Sequence, residues 1–308
     1  MILALAGGVG GAKLALGLCR LLPPEELDIV VNTGDDEVFY GLHVSPDLDT
    51  VMYTLAGLAN PETGWGVRSD TFNALEMMGR YGASTWFRLG DRDLATHLRR
   101  TQMLREGESL SRTTRLLCSG LGIEHGVLPM SDQPVRTVVE TDQGEMPFQE
   151  YFVKRRCEPR VRGLRFVGAE EARPSPGFHA ALGQVGALVF CPSNPFLSIA
   201  PILALPGVRE RIAAFSGSRV VVSPIVGCQA LRGPAAKIMG ELGHEVSALG
   251  VARLYQGLCD IFVLDETDRS LAEDVRALGM RPAVTRTVME SDEDRVALAR
   301  YICDLVGL

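Results

Sequence analysis

"MILALAGGVGGAKLALGL", residues 1–18, decides how the rest of the chain is read. Ile2, Leu3 and Leu5, with their alanine spacers, form an apolar run too short to cross a membrane but long enough for one buried parallel strand. Gly7, Gly8, Gly10 and Gly11 interrupt it. A helical pattern then runs from about Ala12 until Pro23 and Pro24 forbid continuation. Such a strand, glycine turn and helix aim the N–H groups of a first helical turn, and the positive end of its dipole, at whatever lies above, where an anion is the natural guest. The same glycines also permit positive φ and close packing with no ligand at all. A dinucleotide loop would need glycine where Lys13 stands, and a P-loop would need Gly-Lys-Ser/Thr where the chain has Ala12, Lys13 and Leu14. The turn therefore points to phosphate without naming a nucleotide.

Other short β-rich runs also empty into polar loops: "LDIVVNTGDDE", "ALVFCPSNP", "RVVVSPIVG" and "DIFVLDETD". Apolar strands that all end this way present the carboxyl edge of an open parallel sheet, where ligands bind. The expected architecture is α/β, a doubly wound, mainly parallel Rossmann-like sheet. Between Val51 and Arg115 amphipathic helices take over, for instance over 71–80 and 94–105, with Trp65 and Trp86 near their ends. From Gly126 to Val167 alternation around Asp142-Gln143-Gly144 predicts a β-hairpin. With no internal repeat or linker, we read residues 1–308 as a single domain with an inserted lobe at about 51–170.

Hydrophobic residues make up 46% of the 308, as in a globular chain, and the net charge of −7 offers no basic stripe for nucleic acid. The seven cysteines are dispersed, with no C-x-x-C pair, which predicts small buried hydrophobes in a reducing cytoplasm rather than zinc ligands or disulfides. No basic n-region precedes the first apolar run and no longer one offers a membrane span.

"NTGDDEVFYGLHVSPDLDT" packs Asp35, Asp36, Asp47 and Asp49 into one region after a strand. Carboxylates so dense repel unless something positive sits among them, and Mg²⁺, held by one or two carboxylates with water and substrate phosphates, is the expected neutraliser. Two plainer readings compete: Asp47 caps the helix that starts near Leu48, and Asp35-Asp36 is an exposed turn. In "WFRLGDRDLATHLRR" His97 follows Asp93 by four residues, hence on one helix face, either binding a ligand or forming an i,i+4 pair; Arg99 and Arg100 read as a solvated face. Ser193 and Asn194 can offer neutral hydrogen bonds at a strand end, and Arg232-Gly233-Pro234 opens a further helix.

In chain order, "AGGVGGAKL", "NTGDD", "SPDLDT", "GWG", "LGDRDLATH", "LPMSDQPVRT", "CPSNPFLSIAPIL" and "SPIVG" make the sequence closely resemble the 2-phospho-L-lactate transferase family, including its bacterial phosphoenolpyruvate transferase branch, over nearly the whole chain. The resemblance implies transfer of a phosphorylated three-carbon acid from a guanosine diphosphate conjugate to the ribityl hydroxyl of 7,8-didemethyl-8-hydroxy-5-deazariboflavin. GMP leaves, and the product is a precursor of coenzyme F-420. Carried over by motif, Asp49 and Arg88 contact the deazaflavin, Asp35 and the acids of "PDLD" match the Mg²⁺ region, and the glycine loop, "PSNP" and "SPIVG" match the nucleotide side. Asp49 or Asp47 then accepts the hydroxyl proton. Val9, Gly11 and Ala12 look more like the bacterial branch, favouring phosphoenolpyruvate as the acid, and the family suggests a homodimer. Two rivals stand beside this. A non-catalytic nucleotide-sugar-binding regulator would share the glycine loop and acidic turn but not "PDLDT" joined to "LGDRDLATH". A nicotinamide oxidoreductase would use Asp35 for ribose, against which Lys13 weighs.

Overall fold

The computed structural model describes residues 1–231 and 233–308. Among these residues the central sheet has seven strands: β1 (Ile2–Ala6), β2 (Leu27–Val31), β3 (Gly126–Pro129), β4 (Ala187–Phe190), β5 (Ser218–Val222), β6 (Ile261–Leu264) and β7 (Arg281–Val284). They run in the order β7-β6-β5-β4-β1-β2-β3, every pairing parallel. Alternate residues enter separate cores, as a sheet buried on both faces requires. Leu3, Leu5, Val30, Leu188, Phe190, Val221 and Phe262 pack with Phe178, Ile202, Ile212 and Val251 on one side. Ile2, Ala4, Ile29, Val31, Val189 and Val222 pack on the other with α1 (Gly8–Cys19), α2 (Pro46–Leu55) and the C-terminal helix Asp292–Val306. The doubly wound Rossmann-like reading is thus correct, and the four quoted β-rich runs are β2, β4, β5 and β6.

Several local expectations shift. Helix α1 starts at Gly8 rather than Ala12, because the second glycine pair lies inside its first turn. Within 51–170, α3 (Asn73–Arg80), α4 (Asp91–Arg105) and α5 (Leu110–Gly120) form the helical part. Gly126–Pro129 belongs to the central sheet, not to the hairpin, since β3 pairs with β2. The hairpin joins Arg136–Thr141 to Gly144–Pro147 across the expected turn, and Val161–Val167 adds a third antiparallel strand. Among the described residues no helix is long and apolar enough to cross a membrane. Cys118, Cys191, Cys259 and Cys303 are buried as expected, whereas Cys228 is exposed, held at φ +62° in the two-strand ribbon turn after β5.

Candidate functional site

The chain leaves β1 toward β2 and β3 on one side, then returns at β4 and continues to β5, β6 and β7 on the other. The crevice beyond the carboxyl ends of β1 and β4 is therefore the topological switch point, where open α/β sheets bind ligands. Its two walls are tied together. Ser193 Oγ accepts the Gly7 N–H at 3.0 Å and donates to the Gly7 carbonyl at 2.8 Å. Gly8 turns the chain at φ +62°, a region that favours glycine. A Cβ at Gly10 would lie 2.2 Å from the Pro192 carbonyl oxygen, so the helix can approach β4's loop this closely only without one. An anion does sit on the first turn of α1, but the chain supplies it: Asp47 Oδ1 accepts the Gly8 N–H at 2.7 Å.

Asp47 is not the helix cap. Ser45 occupies that position, and Asp47 lies in the first turn of α2, behind Pro46. Nor are Asp35 and Asp36 an exposed turn; the Asp35 and Asp47 residues are only 8% and 7% exposed. The Asn32 side-chain amide joins these two, Nδ2 lying 2.8 Å from Asp35 Oδ1 and 3.0 Å from Asp47 Oδ2. Burial, then repulsion from Asp47 and Asp36, pushes the Asp35 carboxyl well above the ordinary range. Burial also lifts Asp47 to about 6, against the hydrogen bonds from Asn32 and Gly8. Two buried carboxylates whose charge is so poorly tolerated suit a small divalent cation. Among the described residues no group of three or more His, Cys, Asp or Glu could hold a metal. A cation held by Asp35 and Asp47 would therefore need water or substrate oxygens to complete its shell.

Asp36 and Asp49 belong to a different environment. Asp36 Oδ2 accepts from Ser45 Oγ at 2.7 Å and lies 3.0 Å from His43 Nε2. Both Asp49 oxygens face the Arg100 guanidinium, Oδ2 at 3.1 Å from Nη1 and Oδ1 against Nη2. Arg100 is completely buried, which overturns its reading as a solvated residue; Arg99 is exposed as expected. The reason is helical geometry: Asp93, His97 and Arg100 follow one face of α4, the one turned toward α2. His97 Nε2 lies 3.1 Å from Asp93 Oδ1 in the i,i+4 pair, and Tyr53 of α2 donates to the same oxygen at 2.7 Å. The spacing of those three residues was the signal that could have identified Arg100; nothing local marks Asn32.

The remaining nominated residues are spread more widely. Lys13 donates to the Met289 carbonyl at 2.6 Å, in the loop before the C-terminal helix. Asn194 caps the turn Pro195–Ile199, accepting from Phe196 and Leu197 N–H at 2.9 and 3.2 Å. A Cβ at Gly11 would meet Ser193 Oγ at 2.5 Å, so this glycine also packs α1 against β4's loop. Arg88 stacks its guanidinium 4.3 Å above the Phe72 ring, in a 610 Å³ cavity lined by α3 that includes none of the four aspartates. Asp91 of "LGDRD" and Asp70 form a reciprocal cap: Asp91 accepts the Asn73 and Ala74 N–H groups of α3, while Asp70 accepts those of Arg92 and Asp93 in α4. Arg232, nominated at a helix start, lies outside the described residues.

Comparison with known proteins identifies the lineage. A crystal structure of a UPF0052-family protein from Bacillus halodurans superposes with a TM-score of 0.63 at 15% identity, covering 98% of this chain and 97% of that one, a likeness of fold. A phosphoenolpyruvate transferase of Streptomyces griseus is 45% identical, with 99% of this chain and 98% of the relative aligned. A 2-phospho-L-lactate transferase of Methanosarcina mazei is 42% identical, with 96% and 97% aligned. The family model "2-phospho-L-lactate transferase CofD" matches residues 2–299. With the switch-point crevice and the motif order in place, the chain belongs to the CofD family of transferases.

Proposed function

We propose that this protein transfers a phosphorylated three-carbon acid, the phosphoenolpyruvate or 2-phospholactate moiety, from its guanosine diphosphate conjugate to the ribityl hydroxyl of 7,8-didemethyl-8-hydroxy-5-deazariboflavin, in coenzyme F-420 biosynthesis. The hydroxyl oxygen forms a bond to the phosphorus bearing the acid, the diphosphate P–O bond breaks, and GMP departs. The observation that carries this reading is the buried Asp35–Asp47 pair at the switch point, beside the Gly7–Gly8 turn. Transfer between two oxygens needs charge neutralisation and alignment more than covalent help. Asp35 and Asp47 would hold Mg²⁺, which when bound offsets the charge of the diphosphate.

Gly7, Gly8, Ser193 and Asn194 line the donor side, and Arg88 with Phe72 the acceptor side. Of the two candidate bases, Asp49 has both oxygens against the buried Arg100 guanidinium, while those of Asp47 meet neutral donors, the Gly8 N–H and the Asn32 amide. The test is a mass-spectrometric assay with the deazaflavin, Mg²⁺ and three competing guanylated acids: phosphoenolpyruvyl, 2-phospholactyl and 3-phosphoglyceryl. GMP release with one heavier deazaflavin product is expected, the phosphoenolpyruvate adduct dominating; no product from any donor overturns the reading.

A further inference from the structure

Asn32 is fully buried at the end of β2, its backbone N–H still donating to Ala6 O at 3.1 Å. Oδ1 accepts the Gly34 N–H at 2.8 Å, which sets the orientation of the side-chain amide. Nδ2 then faces three acceptors: Asp35 Oδ1 at 2.8 Å, Asp47 Oδ2 at 3.0 Å and the Leu197 carbonyl at 3.2 Å. Two amide protons cannot serve three acceptors well. The other half of the acidic segment has ionic or ionisable partners, Arg100 for Asp49 and His43 for Asp36. Around Asp35 and Asp47 the donors are neutral: Asn32, the Gly8 N–H, the Ser198 hydroxyl and, at 3.5 Å, the Gln149 amide. Neutral dipoles hold two buried carboxylates together without cancelling their charge.

We infer that Asn32 is a positioning residue whose amide holds the Asp35 and Asp47 carboxylates together in a cation's place and yields to a divalent ion that binds between them. The inference rests on the reading that this pair takes Mg²⁺. Its consequence follows from linkage: removing the amide harms the ion-free protein more than the ion-bound one, so the ion binds the variant more tightly.

The experiment measures melting of the full chain with and without Mg²⁺, and Mn²⁺ binding by electron paramagnetic resonance, for wild type, Asn32→Ala, Asn32→Ser and Asp35→Asn. Wild type should melt higher with Mg²⁺. Asn32→Ala should melt lower without the ion, gain more from it, and bind Mn²⁺ roughly tenfold more tightly, the scale of one hydrogen bond to a charged group. Asn32→Ser, with one donor, should fall between; if the alanine variant does not fold, the serine variant decides by the same criteria. If wild type binds the ion but the variant's gain is equal or smaller, Asn32 only packs or preorganises, and the inference falls while the cation reading stands. If wild type and Asp35→Asn both ignore Mg²⁺ and Mn²⁺, the cation reading falls and takes the inference with it.

Discussion

Asp47 and Asp49 are two residues apart in the first turn of α2, yet Asp47 faces the Gly8 N–H and the Asn32 amide while Asp49 lies against a buried arginine. The same division separates Asp35, which shares Asn32, from Asp36, which is tied to Ser45 and His43. In one half, Arg100 neutralises Asp49 and so joins α2 to α4, while Asp36 leans on Ser45 and His43 and is still pushed up by burial. The other half is left with neutral donors at the mouth of the crevice. Density of charge along a chain therefore does not define a metal site; what matters is which carboxylates the fold leaves without a counterion.

The sharpest way to break that comparison is Asp47→Asn. Turnover should fall by about 10²–10⁴-fold, as for loss of a general base or equivalent group, while the ion-free protein melts no lower, since a neutral side chain avoids the desolvated charge. GMP release and a thermal scan read the two effects, and near-normal turnover would move the chemistry out of this crevice.

Arg100→Met probes the opposite half. Leaving Asp49 buried and unpaired should cost about 3–5 kcal/mol in urea unfolding, and adding Asp49→Leu should recover most of it. A loss under 1 kcal/mol for the single variant would mean that the pair is worth no more than a surface bridge.

The smallest effect is in pH. An acid whose folded pKa is raised binds its proton more tightly folded than unfolded, so its folded state loses stability as pH climbs from the ordinary carboxylate range through about 6 and levels off above. Wild type should lose up to about 3 kcal/mol across that window relative to Asp47→Asn. Parallel stability curves for the two proteins would show that Asp47 carries no such penalty.

The glycine turn shows how far local reading reaches. The strand, the turn and the helix were legible in "LALAGGVGGAKL", but the anion on that turn proved to be Asp47, 39 residues away in sequence from the N–H it accepts. Arg99 and Arg100 look alike in a row of basic residues, and only the helical phase that sets Arg100 above Asp93 and His97 separates them. Asn32 reads as an ordinary residue at a strand end. Its importance arises from three acceptors brought in by α2, by its own loop and by the segment after β4.

The sequence by itself determined the parallel sheet, its two-faced core and the family, because apolar runs with polar stops and an ordered set of motifs are properties of neighbouring residues. Tertiary structure alone decided which aspartates have a charged partner and which do not. Electrostatics acts through space, and the partners that settle it, Arg100 for Asp49 and Asn32 for Asp35 and Asp47, come from separate elements that only folding brings together.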